Sequence, residues 1–532
     1  MRAFAIPLSC ILILASALSH SLFAQNIPLT REKNILFDKY LNSAECRIHT
    51  SIQPLLNTPE LQTIGDSIMK SFGKVTEKRK SKGEIAVNGI FASEGELEKS
   101  TSMTKDFLLE GGVSVSAVYK NKLAGNFTFL SGNSSFNSYF DTVIKHSSIV
   151  PEIGSAYASK QGYSYQYFSG YLSYSPNKIF NLQAGKDKNF WGDGYRSLFL
   201  SDVSNSYPFL KISTTVWKIK YVNLFTMMKD VTASPFRNDF KNKYGTFHYL
   251  SWNATKRINV ALFESIIWQG TDSNRVRSFD VSYLNPIIFF RPIEYSLGSS
   301  DNAFLGASFK IKVGKKQHQE FYGQLILDEF VLKEVLAIFK KLAHPFDPAI
   351  KYGWWGNKQG VQLGFKSFDL FTLKNMTFQT EINAVRPYTY SHGSVQQNYG
   401  NYNQSLAHPL GANFTESVSF LNYRYKRWTA ETEFLYAIYG KDKDGINYGG
   451  NIFESYTTRP KELEYGNKFW QGLKTNLFCT RFKIGYYIVP SADLIAEAGL
   501  AQRKETNSLE HLSSAFFFIG IKTGLMNRYN DF

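Results

Sequence analysis

The chain has 532 residues and a formal net charge of +16, from 60 Lys+Arg against 44 Asp+Glu. Aromatic residues reach 16% and hydrophobic residues only 43%, while three cysteines suit neither a disulfide framework nor a zinc site. This profile excludes a helical membrane protein and a disulfide-stapled scaffold, and leaves an all-β protein that meets anionic material.

The first element is a secretory signal peptide over 1–24, with Arg2, an apolar run from Ile6 to Leu18, and Ala24 before Gln25. The run is too short for a lasting anchor, and Cys10 inside it makes a poor lipoprotein signal. Export removes nucleic acid as a partner for the basic excess. Acidic surface polysaccharide or lipopolysaccharide phosphate remains, with solvated loop charge as the plainer account.

Residues 25–82 read as a periplasmic helical region. Thr58, Pro59 and Glu60 supply an N-cap, an N1 proline and a first-turn acid, and Leu61, Ile64, Ile68 and Phe72 follow at helical spacing. A weaker stripe runs through Ile35, Leu36, Tyr40 and Leu41, and the basic stretch KVTEKRKSKG links this region to the next.

Residues 83–532 change to a period of two. In FLNYRYKRWTAETEFLYAIYG, Leu421, Tyr423 and Tyr425 alternate with Asn422, Arg424 and Lys426, and a tight turn leads to Trp428, Ala430, Phe434, Tyr436 and Ile438. One face suits lipid and the other a polar lumen. A soluble sandwich would show the same alternation, but its recurrence over roughly 18 to 20 segments favours a large antiparallel transmembrane β-barrel. Short links such as Lys426-Arg427 and Pro490-Ser491 contrast with long polar ones at 133–163, 386–413 and 440–464. The chain closes on Phe532, a barrel-assembly signal, with Tyr529 one position off the usual spacing. One insertion near 330–344 is helical, with Leu332, Val335, Leu336, Phe339 and Leu342 on one face. It suits the membrane surface or the barrel mouth, and the aromatic and charged residues crowding both sides of it favour the mouth.

Polar-aromatic clusters interrupt the strands. KDKNFWGDGYRSLFLSD brings together Trp191, Asp193, Tyr195 and Arg196, with Gly192 and Gly194 allowing a bend across which Asp193 and Arg196 can pair. FESIIW holds Glu264, YLNPIIFFRPIEYSLGSSDN holds Arg291 and Glu294, and GQLILDEF holds Asp328 and Glu329. Buried charges must be paired or hydrated, so all of these are expected in a lumen network or at its rim. Adjacent Asp328 and Glu329 on a strand would point to opposite faces and could not act on one substrate. Glu264 and Glu294 could face each other as a hydrolase pair, but neighbouring cations would neutralise them. No nucleophile motif or metal-ligand spacing accompanies the histidines, so neither an enzyme nor a cofactor is expected.

The segments KNFWGDGYRSLFLSD, YLNPIIFFRPIE, GQLILDEF, WWGNKQGVQLG and LAHPLGANFTE, in this order, resemble the Wzi-type capsule assembly family of outer-membrane proteins. The likeness is strongest to its branch in gliding bacteria, which includes the gliding motility protein RemB. It implies an outer-membrane barrel of eighteen strands preceded by a small periplasmic helical bundle. It also implies attachment of capsular polysaccharide and, in the gliding branch, partners in a motility complex. Beside that resemblance, Trp354, Trp355, Lys358, Arg386, Tyr388, Tyr390 and His408 are candidate glycan contacts, because aromatic faces stack on sugars while polar neighbours bind hydroxyls. An interfacial aromatic girdle is the competing account of the same rings. A porin-like passive channel and an outer-membrane hydrolase are the alternative functions.

Overall fold

A computed structural model describes residues 25–73, 83–120, 122–231, 240–272, 275–276, 279–285, 301–314, 318–329, 332–524, 527–529 and 531. The signal peptide, most of the basic link, Arg291, Glu294 and Phe532 lie outside the described residues.

Eighteen long strands follow one another around a closed antiparallel barrel. They are β1 (Gly83–Lys99), β2 (Met103–Tyr119), β3 (Leu123–Ser134), β4 (Gly162–Tyr174), β5 (Phe180–Asp187) and β6 (Tyr207–Val216). Next come β7 (Ile219–Asp230), β8 (Lys241–Trp252), β9 (Ile258–Gln269), β10 (Asn302–Val313), β11 (Gln319–Leu327) and β12 (Gln359–Phe368). The last are β13 (Met376–Val385), β14 (Phe414–Tyr425), β15 (Trp428–Lys441), β16 (Leu473–Val489), β17 (Leu494–Thr506) and β18 (His511–Thr523). Pairing of β1 with β18, from Ala92 opposite Lys522 to Lys99 opposite Ala515, closes the ring. Closure matters because an open strand edge has no hydrogen-bond partner in hydrocarbon.

The side chains alternate as the sequence predicts. On β14, Tyr423 and Tyr425 are exposed while Asn422 and Arg424 are buried. Isoleucines and leucines cover the outside, Ile85 at 76% exposure and Leu172 at 65% among them. So much exposed apolar surface calls for lipid. Trp217, Trp252, Tyr425 and Trp428 are exposed together at one end of the wall and form an interfacial girdle.

The two ends differ. Every link from an even strand to the next odd one is short, from 217–218 to the longest at 369–375. At the opposite end the links at 135–161, 188–206, 270–301, 328–358, 386–413 and 442–472 are long. Only 100–102, 231–240 and 507–510 are brief there, and two of these three flank the closing strands.

Helices α1 (Arg31–Leu41) and α2 (Pro59–Ser71) sit in the short-turn mouth. Thr58 caps α2 by accepting from the Leu61 amide at 3.3 Å, with Pro59 in the first turn. The predicted stripe packs Ile68 and Phe72 against Tyr487 and Ile495 of the wall. Lys39 pairs with Asp369 at 2.7 Å, Lys33 with Asp493 at 2.7 Å and Lys366 with Asp38 at 2.8 Å. These contacts dock the N-terminal helical element into the short-turn mouth. Helix α3 (Ser138–Ser147) lies inside the long-loop end, its Ser138 amide donating to Glu98 of β1 at 2.8 Å.

Helix α4 (Leu332–Ala343) forms where the sequence places it. None of its described side chains is buried, and Leu336 is 48% exposed; the side chains of Leu332, Val335, Phe339 and Leu342 lie outside the described ones. The described core of the lumen is built by other segments. Trp191, Leu198, Phe199 and Leu200 from 188–206 pack with Tyr390, Tyr399 and Leu406 from 386–413 against wall residues of β6 to β14. From the other end, Ile52 and Gln53 pair as a short strand with Trp191 and Phe190. The segment after β18 also turns inward, so Tyr529 is a buried lumen residue and not part of a terminal strand.

Candidate functional site

The 188–206 loop crosses the lumen, and wall residues meet several of its polar groups. Gln324 of β11 donates to the Trp191 carbonyl at 3.0 Å and accepts from the Leu198 amide at 2.7 Å. Trp191 meets Tyr249, Phe247 and Phe263 with centroid distances of 5.4, 6.3 and 6.1 Å. Asp193 is salt-bridged to Lys310 of β10 at 2.8 Å and accepts from the Thr50 hydroxyl at 2.5 Å.

Arg196 is fully enclosed. Its Nη2 lies 3.0 Å from Glu416 and 2.7 Å from Asp531, while His408 Nε2 is 2.8 Å from the other Glu416 oxygen. Tyr195 donates its hydroxyl to Asp531 at 2.8 Å, and the Tyr195 and Arg196 amides donate to Glu381 at 2.9 and 3.1 Å. The expected Asp193–Arg196 pair is therefore replaced by separate partners, Lys310 for Asp193 and Glu416 with Asp531 for Arg196. The two glycines lie in the expected bend and do one thing more. A Cβ on Gly194 would lie 2.3 Å from Glu381 Oε2, and one on Gly192 would lie 2.7 Å from Gln324 Nε2. They allow the loop to approach the wall.

A second cluster lies toward the long-loop mouth. Because β11 ends at Leu327, Asp328 and Glu329 are free of strand geometry, and Lys358 reaches both, at 3.1 and 3.3 Å. That corrects the expectation that the two acids diverge. Asp328 also accepts from the Tyr390 amide at 2.9 Å, and burial pushes its carboxyl up to about 6 against the pull of Lys358. Glu264 is buried on β9 with His248 Nδ1 3.8 Å away. Its proposed facing partner, Glu294, lies outside the described residues.

The candidate glycan contacts divide. Trp354 and Trp355 are half-buried: Trp354 donates to Glu464 at 3.0 Å, and Arg459 lies 3.9 Å over the Trp355 ring, which also meets Tyr456 at 4.7 Å. Tyr388, Tyr390, Lys358, Arg386 and His408 are buried and do not form an open ledge. Tyr390 donates to the Leu198 carbonyl at 2.8 Å, Tyr388 to the Asn447 carbonyl at 3.1 Å, and Arg386 Nε to the Asn357 carbonyl at 2.8 Å. His408 stacks on Phe414 at 4.2 Å. The physical reason is that 386–413 folds back into the barrel, where phenol and guanidinium groups satisfy loop carbonyls that water cannot reach.

What remains open lies on the other side of the lumen. A cavity of ≈ 200 Å³ borders β1, β2 and β14 to β18, lined by Glu94, Glu96, Glu433, Arg481, Lys483 and Lys522 among others. A second cavity, ≈ 310 Å³, lies between α3 and the 386–413 and 442–472 loops. Phe140 of α3 lines both. The first was legible only as the polar alternation of its strands; the second combines five segments distant in sequence and left no local signal. Among the described residues, no group of three or more His, Cys, Asp or Glu is placed to hold a metal ion.

No protein-family model matches the sequence, and no curated protein matches it significantly. Solved structures do match. The chain is similar to Wzi, an outer-membrane protein involved in group 1 capsule assembly in Escherichia coli and described as a carbohydrate-binding β-barrel. That match has 11% identity and a TM-score of 0.53, and covers 94% of this chain and 100% of that one. It is also similar to the outer-membrane protein OpdK from Pseudomonas aeruginosa, at 9% identity and a TM-score of 0.43, over 82% of this chain and 98% of that one. At such identities the likeness establishes the fold, a closed outer-membrane-type β-barrel of eighteen strands.

Proposed function

We propose that the protein is a closed, non-catalytic outer-membrane barrel that holds or organises surface polysaccharide at its long-loop end and supports cell-surface motility in gliding cells. The observation that carries this reading is the filled lumen. Among the described residues, the aromatic core around Trp191, the Arg196–Glu416–Asp531 network and the helices in the short-turn mouth occupy much of the space that a porin keeps open. The likeness to a carbohydrate-binding barrel over nearly the whole chain supports the ligand class. The +16 charge suits a polymer that carries acidic groups, or lipopolysaccharide phosphate. Long loops mark the outer face by the usual asymmetry of such barrels, and the short turns with α1 and α2 then face the periplasm. Glu416 and Asp531 share Arg196, and Asp328 pairs with Lys358, which supports reading these acids as a structural network.

Two measurements on the full-length protein test this. In planar bilayers the intact barrel is expected to show little steady conductance, and native capsule or lipopolysaccharide is expected to bind it with partial salt sensitivity. Large, steady open-channel currents together with no polysaccharide binding would overturn the proposal in favour of a passive channel.

A further inference from the structure

After β18 the chain leaves the wall and runs into the lumen. The described residues of this tail, Gly524, Asn527, Arg528, Tyr529 and Asp531, line both cavities named above and two smaller ones. Gly524 and Arg528 border the ≈ 200 Å³ charged cavity, and Tyr529 borders the ≈ 310 Å³ cavity at the long-loop end. A third, of ≈ 40 Å³, lies beside Asn34 and Asp38 of α1 and is bounded by Asn527 and Tyr529. Asp531 borders a fourth, of ≈ 30 Å³, together with Glu433, Arg481 and Tyr139 of α3. The four spaces run from the short-turn mouth to the long-loop end, and the tail is the partition they share.

Side chains hold this partition in place. The Gly524 amide donates to the Asp493 carbonyl at 3.2 Å, but among the described residues no backbone–backbone hydrogen bond fixes Asn527, Arg528, Tyr529 or Asp531. Asn527 Nδ2 and the Tyr529 hydroxyl donate to the two oxygens of Asp202 at 2.8 and 2.6 Å. Arg528 reaches Glu110 of β2 at 2.6 Å, and Asp531 is met by Tyr195 and Arg196. The tail is also tied toward both mouths. The Arg31 amide of α1 donates to Asn527 Oδ1 at 2.6 Å, and the Tyr529 amide donates to Glu152 of the 135–161 link at 2.7 Å. A segment fixed by side-chain bonds alone opens at a lower free energy than a strand bonded on both edges. A shift at either mouth therefore loads the same few bonds.

We infer that the tail is an internal gate, and that its displacement joins these cavities into one narrow passage for small cations. The sign of the charge comes from the ≈ 200 Å³ cavity, whose lining holds eight carboxylates against five lysines and arginines. One of those five is Arg528, which leaves with the tail. Acidic linings favour cations, and spaces of this size admit ions and not a polymer. The passage is shut in the resting protein, so the inference goes beyond the polysaccharide reading and does not depend on it.

Full-length protein in planar bilayers tests this. Asn527→Ala combined with Tyr529→Ala removes both ties to Asp202 and takes the ring out of the partition. This variant should raise mean conductance at least tenfold over the parent while heat-modifiable migration stays normal. Under a potassium chloride gradient its reversal potential should lie on the cation side. Adding Glu94→Gln and Glu96→Gln should move that potential toward zero, because both acids line the charged cavity. If the double variant does not refold, Tyr529→Phe, which loses only the hydroxyl bond to Asp202, gives the same reading through brief openings several times more frequent than the parent's. Conductance equal to the parent's in a folded variant would overturn the gate. An opened pore that prefers anions, or whose preference ignores the two acids, would overturn the passage.

Discussion

The two halves of the lumen are built from the same alternating strands and end up physically different. On the side of β6 to β14 the interior is dry: Phe199 stacks on Phe263 at 4.7 Å, Tyr390 on Tyr399 at 5.4 Å, and the loops enter between them. On the side of β1, β2 and β15 to β18 the interior is an open, charged cavity bounded by Glu94, Glu96, Glu433, Arg481 and Lys483. The difference follows from the links. Strands β1 and β2, and β17 and β18, are joined by the brief turns 100–102 and 507–510, so no long loop rises from them to fold inward. Where backbone enters, polar groups must be paired within protein; where it does not, water can hydrate the inward charges. The comparison teaches that a barrel's interior is decided by its loops as much as by its wall.

The largest expected effect comes from the dry half. Arg196→Leu would leave Glu416 and Asp531 buried without their cation, at a cost of about 3–5 kcal/mol. Thermal unfolding in detergent should show it, and Arg196→Lys should rescue only in part because one ammonium cannot span both acids. Trp191→Ala removes the ring at the centre of the aromatic core and should cost about 3–5 kcal/mol. It should also admit small ionic currents in planar bilayers.

Acid offers an intermediate test. His49, in the segment before α2, is buried with Nδ1 2.8 Å from the Ser251 hydroxyl, and Asn253 donates to its Nε2 at 3.3 Å, so the ring is held neutral. Burial, reinforced by Lys220 and Lys310, lowers its pKa to about 3. Because the unfolded ring binds a proton first, His49 contributes stability that is present above pH 6.5 and is lost as pH falls through that window toward about 3. The loss by pH 5 is roughly 2 kcal/mol. In His49→Gln this limb of the stability–pH profile should flatten; an unchanged slope would assign it to other groups.

The smallest effect belongs to the wet half. Glu96→Gln, facing the charged cavity, keeps an oxygen for the Asn137 amide and should change stability by under about 1 kcal/mol because the side chain is only part-buried. A cost equal to that of Arg196→Leu would remove the distinction between the two halves.

Much of the wall was legible because strand alternation is local. The turn at Lys426-Arg427, the outward Tyr423, Tyr425 and Trp428, and the Thr58 cap of α2 depend on neighbours within a few residues. The aromatic loop at 386–402 misled for the same reason. Tyr388 and Tyr390 have the composition of a sugar ledge, but the carbonyls that fix them belong to Asn447 and Leu198, far away in the chain. The described aromatic core of the lumen is built by segments 188–206 and 386–413, which carry no helical signal.

By itself the sequence determined a β-barrel wall, the side of each strand that faces lipid, and the placement of its short and long links. Those properties follow from a period of two and from turn chemistry, which act over adjacent residues. Only the tertiary structure decided which loops enter the lumen, which charges they meet there, and where a cavity is left. The sharing of Arg196 between Glu416 and Asp531, and of one pocket among residues 139–152, 203, 403–411 and 450–453, joins positions whose proximity exists only after the ring has closed.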